Sequence, residues 1–379
     1  MKQPGDTSVQ AVRRACQLLR AFANEDEVLR LRDLSARTSI HKATASRLMQ
    51  TLVAEGMVER LGDARFRCRI KSPARQRRRI GFATRGVDTS FSRAVSQSVQ
   101  RAAEEHGMEL ITVSNHRSPS AAVRNAEALV REGVELVLEF QSHERVAPVV
   151  ASRFLEAGIP VIAMEIPHPG ATFFGANNFQ AGMLGGRAMG AWVKEHWQAR
   201  AAAILVMVEE AAGPLVKLRT DGMLAGLREA LPESEHLLTS TLNGHGSLVK
   251  AMETVRRTLR LTPTRRTIVL AGNDPMALGV IRAFEEAGRS RHCAVMSQNA
   301  SLEARMELRR KGSPLVASVG YFPERYGDEV LRLAALILAG KTTAPAVFTK
   351  HELLTPRNVD KVYPLDHLLP EALAAAVIA

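Results

Sequence analysis

From Arg79 to about residue 345 the chain repeats one unit, a short apolar run followed by a longer amphipathic stretch. The runs are Ile80–Thr84, Leu110–Ser114, Leu136–Phe140, Val161–Glu165, Ala202–Met207, Leu237–Leu242, Thr267–Ala271, Ala294–Ser297 and Val316–Val319. Between them lie stretches of helical periodicity such as Val95–His106, Ala121–Glu132, Met183–Lys194, Leu224–Ala230, Met276–Ala287 and Tyr326–Leu338. A strand that is apolar throughout is one buried on both faces, and strands alternating with helices build parallel sheets covered by helices on either side. Nine such strands exceed one small sheet, so the pattern predicts two α/β lobes. The length, 379 residues, agrees, because a single hydrophobic core stops growing below this size.

The first fifth of the chain reads differently. Of the 51 Lys and Arg residues, 18 lie in positions 1–80, against 8 of the 39 Asp and Glu. The rest of the chain is nearly balanced, so the net charge of +12 is concentrated at the N-terminus. A basic surface confined to a small segment suits a partner rich in phosphates. Residues 8–22 place Val9, Val12, Ala15, Cys16, Leu19 and Phe22 at helical spacing, with Arg13, Arg14 and Arg20 outside. A second helix is expected around Leu31–Arg37. A third, capped by Thr38–Ser39, runs Ile40–Glu55 and buries Ala45, Leu48, Met49, Leu52 and Val53. Its other face carries Lys42, Thr44, Ser46, Arg47, Gln50 and Thr51. Residues 57–60 and 65–69 flank Gly62-Asp63 in a hairpin pattern. Two short helices, a polar-faced helix and a β-ribbon make a winged helix-turn-helix, whose third helix enters the major groove.

The stretch SIHKATASRLMQTLVAEGMVERLGDARFRCRI resembles the DNA-binding domain of the IclR family over roughly residues 8–70. The matching helix positions are Lys42, Thr44, Arg47, Leu48, Thr51 and Leu52; Ala43 stands where the family has Ser, and Met49 replaces a Leu. The resemblance implies DNA contacts from Lys42, Thr44, Ser46, Arg47 and Thr51 of the helix and Arg65 of the wing. Residues 71–79, KSPARQRRR, lack apolar periodicity and read as a linker whose arginines, Arg77 and Arg78 among them, lie along the DNA backbone.

Further on, GVELVLEF, EAGIPVIAMEIP, GANNFQAGMLGG, KLRTDGMLAGL and AGNDPMALGVIRAFEEAG occur in the order found in type I periplasmic-binding-protein-like sensors, including those of the LacI family. The resemblance spans about residues 79–365. It implies two Rossmann-like lobes joined by three crossovers, with ligand in the cleft between them. Lobe 1 is assigned to about 80–178 and 322–345, lobe 2 to 179–321 and 346–365, with 366–379 a helical tail. Ligands of open α/β sheets sit beyond the carboxyl ends of the strands. That places Asp88 and Phe91 after the first strand, Phe140 at the third and Glu165 at the fourth. Arg219, Asn273, Asp274, Asn299 and Tyr321 come from the second half. In similar sensors these places carry an aromatic platform, acidic or amide acceptors, and an Arg making bidentate contacts, for which Arg219 is the nearest positional match. Sugar-binding relatives tend to have Asp-Arg after the fourth strand, where this chain has Glu165-Ile166. Asp274 stands before Pro275, as a helix cap or as a ligand contact. Phe140 and Tyr321 fit the core as well as the cleft. The glycines of GMLGGRAMG sit inside a helical pattern and read as close packing rather than a phosphate loop.

Catalysis finds no support in the sequence: it has no HExxH, no GxSxG elbow, no Walker loop and no zinc spacing. Cys16, Cys68 and Cys293 are scattered and read as small buried hydrophobes. No apolar run approaches the ~20 residues of a membrane helix, and the first residues lack a secretory h-region, which places the chain in the cytosol. The sequence therefore predicts a ligand-responsive transcriptional regulator without cofactor, metal or catalytic residues. It binds double-stranded operator DNA as a homodimer and a small polar effector, sugar-like or a polyol. The alternative is a solute-binding or sensor protein whose N-terminal domain takes no part in transcription.

Overall fold

A computed structural model of the chain describes residues 9–22, 27–62, 64–69 and 77–366. By its contacts the chain divides into two units, which meet at Arg77/Arg78.

The N-terminal unit contains α1 (Gln10–Arg20), β1 (Val28–Arg30), α2 (Leu31–Thr38), α3 (Lys42–Ala54), β2 (Val58–Leu61) and β3 (Arg65–Cys68). Leu18, Leu34, Ala45, Met49, Leu52, Val58 and Phe66 are its core. The wing has three strands in the order β1-β3-β2, all antiparallel. β1 was not anticipated, because three residues carry too little periodicity to register. Several local expectations are corrected. The buried stripe of α1 passes through Leu18 and Phe22, leaving Val9 and Val12 64% and 59% exposed. Cys16 is exposed as well, whereas Cys68 and Cys293 are buried. Thr38-Ser39 does not cap α3: Thr38 ends α2, Ser39 is its left-handed C-cap (φ 57°), and His41 accepts the amide of Ala43 at the start of α3.

In the C-terminal unit the first lobe holds β4 (Arg79–Thr84), α4 (Ser90–Glu105), β5 (Glu109–Ser114), α5 (Pro119–Arg131), β6 (Leu136–Phe140), α6 (Ala147–Glu156), β7 (Val161–Met164) and β8 (Thr172–Ala176). The second holds α7 (Asn178–Trp197), β9 (Ala203–Val208), α8 (Pro214–Ala230), β10 (Leu238–Asn243), α9 (Leu248–Leu261), β11 (Thr267–Ala271), α10 (Asp274–Glu286), β12 (Cys293–Asn299), α11 (Leu302–Arg309) and β13 (Leu315–Gly320). The chain then returns to lobe 1 with α12 (Tyr326–Leu338), packed on α4, and β14 (Ala346–Thr349). It crosses a third time into β15 (Glu352–Leu354) and α13 (Val359–Val362) of lobe 2. The sheets run β14-β8-β7-β6-β4-β5 and β10-β9-β11-β12-β13-β15, parallel except for the β13–β15 pair.

Residues 346–349 thus belong to lobe 1, not to lobe 2 as the sequence suggested. β14 lies along β8, with the Phe173 amide donating to the Pro345 carbonyl at 2.9 Å. β8 itself, following Pro169-Gly170, was not recognised, so β14 had no visible partner. The glycines of α7 serve helix packing. A Cβ at Gly186 would lie 2.1 Å from the Met223 carbonyl oxygen, and one at Gly222 of α8 2.3 Å from that of Phe179. The two helices touch through their backbones, and this seats α8, with Arg219, against the cleft.

Residues 71–76 of the linker and 367–379 of the tail lie outside the described residues. At the other end of the linker, Arg78 pairs with Glu135. Arg79 is the first residue of β4 and donates to Glu109 and to the Glu132 carboxylate. Arg78, expected along the DNA backbone, is exposed and shares its charge with the surface carboxylate of Glu135.

Candidate functional site

On the N-terminal unit the predicted DNA residues divide by exposure. Lys42, Arg47 and Thr51 of α3 are exposed, as is Arg65 on the wing, while Thr44 and Ser46 are half-buried. Thr44 donates its amide to the His41 carbonyl in the first turn, and the Thr51 hydroxyl donates back to the Arg47 carbonyl at 3.2 Å. Arg65 Nε donates to the Gly62 carbonyl, which braces the wing. Arg77 is exposed at the unit boundary.

In the C-terminal unit a cavity of about 390 Å³ opens between the lobes at the carboxyl ends of the strands. Its volume lies in the range of small-molecule sites. Six of the nine predicted ligand residues line it: Asp88, Phe91, Glu165, Arg219, Asn273 and Asn299. The other three are corrected. Phe140 and Tyr321 are buried in the lobe 1 core and lie behind the cavity wall, each under an arginine that does reach it. Asp274 is wholly buried. Its carboxylate accepts from Ser297 and Ser318 at 2.5 and 2.7 Å and from the Ser301 amide at 2.6 Å, tying α10 to β12, β13 and the start of α11. Burial pushes its pKa up to about 6, against the opposing pull of these donors. Nor does Asp274 cap α10; Asn273 does, its side-chain oxygen accepting from the Met276 amide at 3.0 Å.

Arg219 is the hub of the cleft. Its Nη2 donates to Glu165 at 2.6 Å, Nε to Asn178 at 2.5 Å and Nη1 to Asn299 at 3.3 Å, with the Tyr321 ring 4.9 Å beneath. Burial disfavours its charge, but Tyr321 and Glu165 outweigh that and hold the guanidinium above its ordinary pKa. Glu165 accepts a further bond from Tyr326 at 2.6 Å. That satisfies a carboxylate whose burial would otherwise be costly. Glu165 and Asn299 both sit in left-handed backbone, at φ 65° and 106°. Non-glycine residues hold such angles only where the surroundings over-determine them, as ligand clamps do.

The sequence reading missed a second cluster. Arg117, in the β5–α5 loop, donates to Glu209 of lobe 2 at 2.8 Å and lies 3.9 Å from Asp88. Glu209 also accepts from Asn273 at 3.2 Å. Ser90 donates to Glu303 across the same cleft. Arg85 and Glu209 each follow an apolar strand directly, so the argument that singled out Glu165 applied to them too. Arg117 sits mid-loop, and nothing local in the sequence marks it.

A polar cleft between two parallel-sheet lobes accords with what the chain matches. Residues 80–342 match the periplasmic binding protein domain family. The chain belongs to that family. Residues 11–62 match the IclR helix-turn-helix domain, so a DNA-binding module precedes the periplasmic binding protein domain in one polypeptide. The chain is similar to the D-ribose/D-allose-binding protein of Pseudomonas aeruginosa, 21% identical over 277 residues that cover 70% of this chain and 83% of that protein. Among solved structures it is similar to an ABC transporter solute-binding protein from Mycobacterium smegmatis with bound glycerol. There the TM-score is 0.67 at 21% identity, covering 75% of this chain and 96% of that one. A solute-binding protein from Agrobacterium vitis with bound allitol gives a TM-score of 0.67 at 18% identity, over 76% and 99% of the two chains. Among the described residues, no helix of this periplasmic binding protein domain or of the module before it is long and apolar enough to cross a membrane.

Proposed function

We infer that the protein is a ligand-responsive transcriptional regulator. One observation carries this reading: a single chain joins an IclR-type helix-turn-helix to a periplasmic binding protein domain with a polar interlobe cleft. In this reading α3 enters the major groove with Lys42, Thr44, Ser46, Arg47 and Thr51, while Arg65 and Arg77 contact phosphates. One winged helix reads too few base pairs for genomic specificity, so the active species is a homodimer on a near-palindromic operator. The protein works where its DNA is, in the cytosol.

The effector is a small polyhydroxylated molecule. Carboxylates of Asp88, Glu165 and Glu209, amides of Asn273 and Asn299, and guanidinium groups supply both acceptors and donors, and Phe91 supplies an apolar face. A bulky apolar effector would strand these polar groups. Sugars and polyols named in the relatives above support the class. Arg117–Glu209 and Arg219–Glu165 join the lobes, so a ligand that alters these pairs shifts the balance between lobe arrangements and with it DNA affinity.

The test selects operator DNA from a random pool with the purified protein, then measures its affinity with and without a panel of sugars and polyols. The expected outcome is sequence-specific binding that one class of polyol alters. Polyol binding without any DNA binding would instead make this a solute sensor. Binding of neither overturns the proposal.

A further inference from the structure

Arg85 follows β4 directly and lines the cleft from lobe 1. Its guanidinium lies 5.5 Å from the centre of the Phe140 ring, and its Nε is buried without a hydrogen-bond partner. Among the described residues no acceptor is hydrogen-bonded to this guanidinium. The other two arginines of the cleft are committed, Arg117 to Glu209 and Arg219 to Glu165, Asn178 and Asn299. Burial pushes the pKa of Arg85 down; Glu209 opposes this and the like charge of Arg117 adds to it. Arg85 is half-buried, and a guanidinium whose Nε is shut off from water without an acceptor is costly; it persists where a partner of opposite charge completes it.

We propose that Arg85 is the anion-binding residue of the cleft and that the effector is a polyhydroxylated monocarboxylate, a sugar acid of the aldonate or uronate type. The proposal rests on the reading of the cleft as a polyol site and names the ligand class more narrowly. The planar fork of Arg85 matches a carboxylate bidentately. Glu209 and Glu165 are paired with Arg117 and Arg219, and Glu303 accepts from Ser90 and lies 4.0 Å from Arg93, so Arg85 is the cleft arginine left for a ligand anion. Asp88, with half its side chain exposed, is screened by water. A dianionic phosphate would set its second charge against Glu165 and Glu209. Ile166 stands beside Glu165 and supplies no cation, so Arg85, at the end of β4 with β6 lying between it and β7, takes the anion.

The experiment is calorimetric titration of the full-length protein with matched series: D-glucose, D-gluconate, D-glucuronate and D-glucose 6-phosphate, and the corresponding galactose and ribose series. In at least one series the carboxylate should bind at least tenfold more tightly than the neutral sugar and the phosphate. Arg85→Gln should abolish that preference, and Arg85→Lys should keep part of it. Without ligand, Arg85→Gln should unfold at or above the wild-type temperature, since it removes a half-buried cation that has no acceptor; a large loss of stability would overturn the proposal independently of any ligand. A neutral sugar or a phosphate bound best, with affinity unchanged in Arg85→Gln, overturns the carboxylate subsite and leaves the polyol cleft standing. No saccharide bound in any series overturns both.

Discussion

Replacing Arg219 by Met should be among the most damaging single changes in the sensor unit, and its cost follows from the geometry. The Arg219 and Glu165 side chains are only 8% and 7% exposed, so their ion pair is screened little by water. Met keeps the length and packing of the aliphatic stem but removes every donor. Glu165 is then left with the Tyr326 hydroxyl, and Asn178 and Asn299 each lose a donor. Breaking a buried pair from one side costs about 3–5 kcal/mol, because the remaining charge keeps its desolvation penalty. The change should lower the midpoint of thermal unfolding by roughly 6–20 °C, at about 2–4 °C per kcal/mol for a domain of this order of size. Removing both partners, in Glu165→Leu with Arg219→Met, strands no charge and should recover at least half of that loss. Urea unfolding of wild type, both single variants and the double variant closes the cycle. The reasoning fails if Arg219→Met costs under about 1 kcal/mol, or if the double variant is less stable than Arg219→Met alone.

Gly186→Ala should destabilise by about 1–3 kcal/mol or more, since its Cβ would fall on the Met223 carbonyl and force α7 and α8 apart; denaturant midpoints check this against Gly62→Ala on the wing, where nothing lies within 4 Å. Burial raises the Glu139 pKa to about 8 although Asn115 donates to it, so the folded state holds a proton that the unfolded chain releases near pH 4.5. The stability it contributes is therefore present in full below about pH 4.5 and is lost as pH rises towards 8; urea midpoints across this window should slope less in Glu139→Gln, and an unchanged slope refutes the assignment. Arg47→Ala should weaken operator binding by about 1–3 kcal/mol if it reads a base. An unchanged affinity in the double Lys42→Ala and Arg47→Ala variant, by fluorescence anisotropy, would remove α3 from the groove.

The alternation of apolar runs with amphipathic stretches was enough to read two parallel-sheet lobes, because a strand buried on both faces must be apolar along its whole length. The basic first fifth and the spacing of Ala45, Met49 and Leu52 were enough to read the helix-turn-helix. Glu165 was legible for the same reason, since it interrupts an apolar run at the edge where ligands bind. Arg219 was legible from the family resemblance, and it sits inside α8 rather than at the start of a helix. The tertiary structure decided the rest. It moved β14 into lobe 1 through a pairing with β8 that no local pattern encodes, and it turned Val9, Val12 and Cys16 outward on a helix only part of whose apolar arc meets the core. It withdrew Asp274 and Tyr321 behind the wall and brought Arg117, from a loop of one lobe, onto Glu209 of the other. Sequence periodicity reports whether a side chain faces a core. Which charges meet across the cleft depends on positions far apart in the chain, set by how the two sheets are joined.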